Sequence, residues 1–279
     1  MSTNLTKNIG IFGGYGFVGT SLTRHLLNSK IKHKIFTGNA MELNDVEQFY
    51  KKYRPQQIIF LIGHFSGTFQ ELIQINVETL ERVLAIGITY GLKKIIFAST
   101  GAVYGESPPN GSTETDELHP NTVYGLTKQM AEMCVNYYKD QFQLQSIILR
   151  FPAIYGSNSS QGVIHDFLQE IKTQKTITIH GDGTQIRSFI HVDDVARAII
   201  VTTRLTTSTY FNVASNDVYS INQVGRMLAE RFTFRTQYSQ PVLSHANRLC
   251  INILKFNQEL HFKTHMTLPR FIASLPGEI

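Results

Sequence analysis

Long apolar runs are missing from this chain. Stretches such as Ile58-Ile59-Phe60-Leu61-Ile62 and Ile147-Ile148-Leu149 fall far short of the roughly 18 residues that a membrane-crossing helix needs, so no membrane partner is expected. An apolar signal core is missing too: Met1 to Asn8 is polar and runs straight into a strand-like segment, which points to a cytoplasmic protein. Cysteine is scarce. Cys134 and Cys250 stand in neither a C-x-x-C pair nor a Cys/His ligand spacing, which argues against a disulfide framework and against a zinc site. His64, His165, His180 and His191 have no ligand partner at i+4 and no Cys/Asp cluster beside them; they are expected in the core or on its rim, with no metal.

With 279 residues, 42% hydrophobic and 17% charged, the composition suits one large globular domain or two small ones and excludes disordered and fibrous classes. The net charge of +5 is unevenly spread. From Arg231 onward six Lys/Arg face two acids, which places +4 of the +5 there. That tail has no aromatic-basic interleave and no nucleic-acid reading motif, so no nucleic-acid partner is expected.

Periodicity gives strands at 8–12, 33–37, 57–62, 94–99 and 145–151, alternating with helices at 17–28, 44–53, 72–90 and 123–142. Such alternation implies parallel strands covered on both faces, a doubly wound α/β (Rossmann) domain. Beyond Pro152 the pattern loosens into a helix at 163–172, a strand at 176–180, a helix starting at Asp193-Asp194, a strand at 210–214 and a helix at 220–231. The expected domains are 1–155, with 189–215 returning to it, and a smaller C-terminal α/β substrate lobe from 156–188 and 216–279. Asp193 and Asp194 are expected to cap their helix.

Gly13-Gly14-Tyr15-Gly16-Phe17-Val18-Gly19 lies between the first strand and the first helix. Glycines spaced in this way allow a tight turn, a close approach of backbone to a pyrophosphate, and packing of helix on strand, with the helix N-terminus facing the phosphates. Gly13, Gly16, Phe17, Val18 and Gly19 are therefore cofactor-binding candidates. After the second strand, Phe36-Thr37-Gly38-Asn39-Ala40 holds no Asp or Glu for a ribose hydroxyl and no Arg for a 2′-phosphate, which leaves NAD and NADP both open.

Ser99-Thr100-Gly101-Ala102-Val103-Tyr104-Gly105 is followed by Tyr124-Gly125-Leu126-Thr127-Lys128. Tyr124 and Lys128, four apart, share one helix face, so a lysine ammonium near the phenol would favour phenolate and make Tyr124 a general base. Thr100, at a strand end, would hydrogen-bond the same substrate oxygen. Such a set interconverts an alcohol and a ketone.

With these motifs the chain resembles the extended short-chain dehydrogenase/reductases of the NAD-dependent epimerase/dehydratase family, which act mostly on nucleotide sugars. The likeness also takes in Asn76-Val77 at a helix opening, Leu149-Arg150, Tyr155-Gly156 and the run Gly181 to Val195. It implies that Thr100, Tyr124 and Lys128 are the catalytic hydroxyl, base and lysine. By the same resemblance Ile62 and Gly63, with Tyr124 and Lys128, lie along the cofactor, and Arg187 and Arg248 meet the sugar-nucleotide phosphates, where a planar guanidinium can engage two oxygens. It further implies a homodimer, paired through the helix carrying Tyr124 and the one after Asn76.

Three departures narrow the reaction. Gly101-Ala102 stands where the family's dehydratases carry acids, Pro152-Ala153 where many epimerases have Phe-Asn, and Ser188 where Asp is usual. Dehydration is disfavoured. A nucleotide-sugar epimerase is the leading expectation. An NAD(P)H-dependent 4-keto-6-deoxysugar reductase is the alternative, suggested by the short second-strand region, and a non-catalytic dinucleotide-binding protein is the third.

Overall fold

The computed structural model describes residues 8–241 and 246–277, so residues 1–7 of the polar N-terminal stretch and Glu278 of the basic tail lie outside it. In chain order the elements are β1 (Ile9–Phe12), α1 (Phe17–Asn28), β2 (His33–Ile35), α2 (Leu43–Tyr53), β3 (Gln57–Phe60), α3 (Phe69–Ile73), a π-helical turn (Gln74–Glu78), α4 (Thr79–Thr89), β4 (Lys94–Thr100), α5 (Val123–Phe142) and β5 (Gln145–Phe151). There follow β6 (Ala153–Tyr155), α6 (Val163–Gln174), β7 (Thr176–His180), β8 (Ile186–His191), α7 (Val192–Thr202), β9 (Thr209–Asn212), β10 (Val218–Ser220), α8 (Ile221–Ala229), β11 (Arg235–Ser239), β12 (Arg248–Leu249), α9 (Leu254–Leu260) and α10 (Leu268–Ser274).

Six strands form one wholly parallel sheet in the order β2-β1-β3-β4-β5-β9. Apart from the edge strand β2, His33-Lys34-Ile35, its strands are largely apolar on both faces because both are covered. Ile58 and Phe60 join Phe12, Phe49 and Leu84 in one core, while Ile59 joins Ile11, Leu22 and Ile199 in the other. This is the doubly wound sheet expected from the alternation of strands and helices. Because β2 and β3 lie on opposite sides of β1, the chain reverses direction at the carboxyl ends of β1 and β3, and ligands of such sheets bind in that crevice.

A second sheet, β10-β8-β12 with β6 also paired to β8, rises beside the crevice over a third core of Tyr155, Phe167, Ile177, Phe189, Leu228 and Phe271. The β8 register sets Leu249 opposite Arg187 and Arg248 opposite Ile186, which fixes the neighbours of each arginine.

Two local expectations are corrected. The helix expected from Leu72 begins at Phe69, because Thr68 and Glu71 cap each other reciprocally. Asn76 therefore lies inside the helix, within the π turn, and does not open it. The cap of α7 is His191, whose ring nitrogen accepts from the Asp193 N–H at 3.2 Å. Asp193 and Asp194 fall in the first turn, where each serves another partner. Asp193 takes the Ser21 hydroxyl at 2.6 Å and the Arg24 guanidinium. Asp194, 1% exposed, accepts the N–H groups of His265 and Met266 at 3.0 Å and pairs with Arg197 at 2.5 Å.

Candidate active site

The glycine loop starts with Gly13 in the left-handed region at φ 84°, a conformation glycine adopts without steric cost. The Gly16 N–H closes the turn on the Gly13 carbonyl at 3.2 Å. A Cβ at Gly19 would collide with that same carbonyl and with Gly14, so α1 can pack against the loop only because Gly19 has no side chain. The helix has no side-chain cap and no acid in its first turn. Its leading N–H groups and positive dipole end thus remain free for an anion. A backbone cradle that no side chain fills is what a dinucleotide pyrophosphate requires, and the residues present fit NAD.

At the end of β4, Thr100 projects from the sheet, and α5 starts after its cap Thr122, whose hydroxyl accepts from Gly125 N at 3.0 Å. This brings Tyr124 against Thr100. Burial raises the Tyr124 phenol above the ordinary tyrosine value, and the hydrogen bond from Thr100 partly offsets this. Lys128 takes a different place from the one its spacing suggests. Its ammonium donates to the Ala98 carbonyl at 2.7 Å and lies 4.1 Å from the Phe97 ring centroid. At 3% exposure the lysine is pulled down to about 7, chiefly by desolvation and against the opposing pull of Glu132.

One cavity of about 440 Å³ takes in Gly13, Gly16, Phe17, Val18 and Gly19 of the loop, Gly63 beyond β3, Thr100, Tyr124 and Arg187. Leu61 and not Ile62 faces it; Ile62 packs against the core beside Phe60. Lys128 lies behind the wall, with Nζ 3.8 Å from where a Cβ on Gly63 would be. Arg187 is held by the carbonyls of Ile186 and Ala246 at 2.9 and 2.8 Å, and among the described residues no carboxylate pairs with it. Arg248 does not line the cavity; its strand neighbour Leu249 does. The Arg248 N–H is taken by Glu106 at 2.8 Å.

Sequence reasoning missed Phe65 and Glu132, and it named Asn76 without its role. Phe65, 45% exposed, lines the cavity from the loop after β3, and nothing in its neighbourhood marks it. Asn76 donates to the His64 carbonyl and to Thr127 Oγ1 and accepts from the His64 N–H, all within 2.7–2.9 Å, so it fastens that loop to α5. Glu132 accepts from Ser99 and Arg150 in the interior. Its spacing of four from Lys128 and eight from Tyr124 was a usable signal.

The sequence profile of the NAD dependent epimerase/dehydratase family matches residues 9–214. The chain belongs to that family. A member from Methanocaldococcus jannaschii, named a putative UDP-glucose 4-epimerase, is 26% identical, the alignment covering 88% of this chain and 90% of the relative. The fold matches that of the UDP-glucose 4-epimerase of Thermotoga maritima, solved with UDP-glucose, at TM-score 0.88 and 22% identity over 95% of this chain and 96% of that one. It also matches the UDP-glucose 4-epimerase of Thermus thermophilus, solved with NAD, at TM-score 0.88 and 21% identity over 95% and 96% of the two chains. The family's dependence on NAD agrees with the cradle at Gly13 to Gly19. Among the described residues no helix is long and apolar enough to cross a membrane.

Proposed function

We propose that the protein is an NAD-dependent nucleotide-sugar epimerase that inverts a sugar hydroxyl carbon through a keto intermediate. The observation that carries this reading is the shared cavity: the glycine loop, the Thr100–Tyr124 pair and the unpaired Arg187 all open onto one space. Gly13, Gly16, Phe17, Val18 and Gly19 would hold the pyrophosphate, with Gly63, Tyr124 and Lys128 along the rest of the cofactor. Bound there, NAD supplies a reversible hydride acceptor. Tyr124 takes the proton of the sugar hydroxyl and returns it when the ketosugar is reduced on its other face. Thr100 hydrogen-bonds the same oxygen, and the ammonium of Lys128 stabilises negative charge as it develops nearby.

Arg187 engages the diphosphate. Beyond it a second cavity of about 320 Å³, which shares Ala153, Val163 and Arg187 with the first, receives the nucleoside. Arg248, next to the cavity-lining Leu249, is the second candidate for a diphosphate contact. The absence of acids at Gly101-Ala102 argues against dehydration. Names given to the relatives favour UDP-sugars as the substrate class.

A two-fold homodimer fits the exposed apolar stripe of Val123, Leu126, Met133 and Tyr137 on α5. The stripe recurs at helical spacing, and each of its residues is exposed among the described residues. Two free thiols, Cys134 and Cys250, suit a cytoplasmic setting.

One observation favours the reductase instead: the region between β2 and β3 is short, β2 has only three residues, and among the described residues no strand lies beyond it. An assay at the nicotinamide absorbance band with a panel of nucleotide sugars and 4-keto-6-deoxysugars separates the readings. Conversion of one epimer to the other without net cofactor change is expected. Stoichiometric loss of reduced cofactor selects the reductase, and cofactor binding without turnover on any sugar refutes both.

A further inference from the structure

Tyr124, Lys128 and Glu132 follow one another at intervals of four along α5, so they form a single stripe on the helix face turned to the sheet. The third member is 2% exposed and serves several partners at once. Its Oε1 accepts from the Ser99 hydroxyl at 2.5 Å and from Arg150 Nε at 3.0 Å, while Oε2 accepts from Arg150 Nη2 at 2.7 Å. Ser99 is the neighbour of Thr100 at the end of β4, and Arg150 lies opposite Ser99 in the β4–β5 register. One carboxylate therefore ties the helix that carries Tyr124 to the strand that carries Thr100.

The other side of Arg150 is also occupied. Its Nη1 donates to the Tyr104 hydroxyl at 2.7 Å, and Tyr104 donates to Asn212 at 2.9 Å. Each of its three nitrogens donates to Glu132 or Tyr104, and the Tyr104 and Tyr210 rings lie 4.8 and 5.0 Å from the guanidinium, so the guanidinium is held in place. A buried ion pair satisfied in this way contributes little to stability compared with an apolar pair, and its most evident yield is fixed geometry.

We propose that Glu132 is a positioning residue for proton transfer at Tyr124: pinned by Ser99 and Arg150, it locks α5 in register on the end of β4 and supplies the buried negative charge that keeps Lys128 an ammonium. The surroundings of Lys128 support the second half. From β4 it meets the Ala98 carbonyl and the Phe97 ring, and across Gly63 it approaches the neutral Asn76 amide. Among the acids on neighbouring helices, Glu71 on α3 is engaged with Thr68, and Glu81 on α4 faces Tyr138 further along α5. Arg150 is bound to Glu132 itself. Desolvation pulls Lys128 down, and Glu132 is the charge that opposes it.

The inference rests on Tyr124 as the proton carrier, and its test includes a readout that needs no turnover. Lys128 is titrated by NMR in full-length protein labelled at lysine Cε, its signal assigned with Lys128→Met. Glu132→Gln leaves Arg150 buried without a counter-charge, so it is paired with Arg150→Met; a wholly apolar pair, Glu132→Met with Arg150→Leu, is the second variant, and circular dichroism shows which is folded. In a folded variant the lysine titration is expected to fall by about one unit or more, so that its charged fraction at neutral pH drops severalfold. The alkaline limb of the kcat profile moves to lower pH by the same amount, while KM for the nucleotide sugar stays within about threefold. Glu132→Asp, which retains the charge, is expected to restore the limb. A lysine titration that does not move in a folded variant, or a uniform loss of rate with the limb in place, overturns the proposal. A lysine shift in a protein that turns over no nucleotide sugar refutes the functional reading alone.

Discussion

Replacing Tyr124 with Phe removes one oxygen and leaves the ring in place. The phenol is half-buried and hydrogen-bonded to Thr100, so the structural cost is one such bond, ~1 kcal/mol or less, or a fall in Tm of at most about 4 °C for a chain of this size. The glycine cradle is made of backbone, so NAD affinity is expected within about threefold of the parent, ~0.7 kcal/mol. Turnover behaves differently. Without the phenol the sugar proton has no carrier within reach, and losing a general acid-base group lowers rate by roughly 10²–10⁴, equivalent to ~3–5 kcal/mol of transition-state stabilisation. The assay pairs NAD binding, followed by quenching of protein fluorescence, with epimer formation followed by chromatography. A loss of less than about tenfold would show that Lys128 or Thr100 moves the proton by itself, and a concurrent loss of NAD binding would recast Tyr124 as structural.

Lys128→Met should abolish turnover and yet stabilise the fold. The native lysine titrates near 7, below its ordinary value, so the unfolded chain holds the extra proton between those two values. Stability from this group therefore rises with pH across that window, and the penalty is largest below it. The variant should be ~1–3 kcal/mol more stable at neutral pH, with the margin shrinking towards pH 10 in denaturant titrations. Arg187→Ala should raise KM for the nucleotide sugar by roughly 10–100-fold, the value of one or two charge-assisted hydrogen bonds, with NAD affinity unchanged in calorimetry. Gly19→Ala drives a methyl into the Gly13 carbonyl and should eliminate measurable NAD binding while lowering Tm. Met133→Glu puts a charge in the exposed stripe of α5, and sedimentation should show dimer converting to monomer; a parent protein already monomeric at micromolar concentration would remove the stripe's assigned role.

Legibility in the sequence followed the physics of each segment. Most elements up to Phe151 were readable because β1 and β3 are buried along their whole length, β4 and β5 along most of theirs, and the long helices have a regular buried stripe, as in α1 with Leu22 and Leu26 inside. Beyond Arg231 the pattern gave nothing. There β11 is exposed throughout, β12 has two residues, and α9 and α10 have seven each, too short for a period to show. The glycine loop and the Thr100/Tyr124 pair depend on local backbone geometry, which spacing encodes well. Where Lys128 points does not, because the Ala98 carbonyl that captures it comes from a strand thirty residues away. Arg187 and Arg248 looked equivalent in sequence. A parallel register that pairs Leu249 and not Arg248 with Arg187 separates them, and strand register across sixty residues leaves no trace in either segment.

The carboxylate of Asp194 and the strand β5 both have to wait for their partners. A ribosome releases the N-terminal half first, and at that stage β5 is a bare edge, open to pairing with any other extended chain, until Asn212 has emerged. Asp194 then stays a buried acid without the His265 and Met266 N–H groups until almost the whole polypeptide is out. The parallel sheet that carries the glycine loop is thus not completed by the first 155 residues. Its last strand, β9, comes after the stretch 156–188 and the partners of Asp194 lie near the C-terminus, so a translation product that stops before Thr209 carries the phosphate loop on an unfinished sheet.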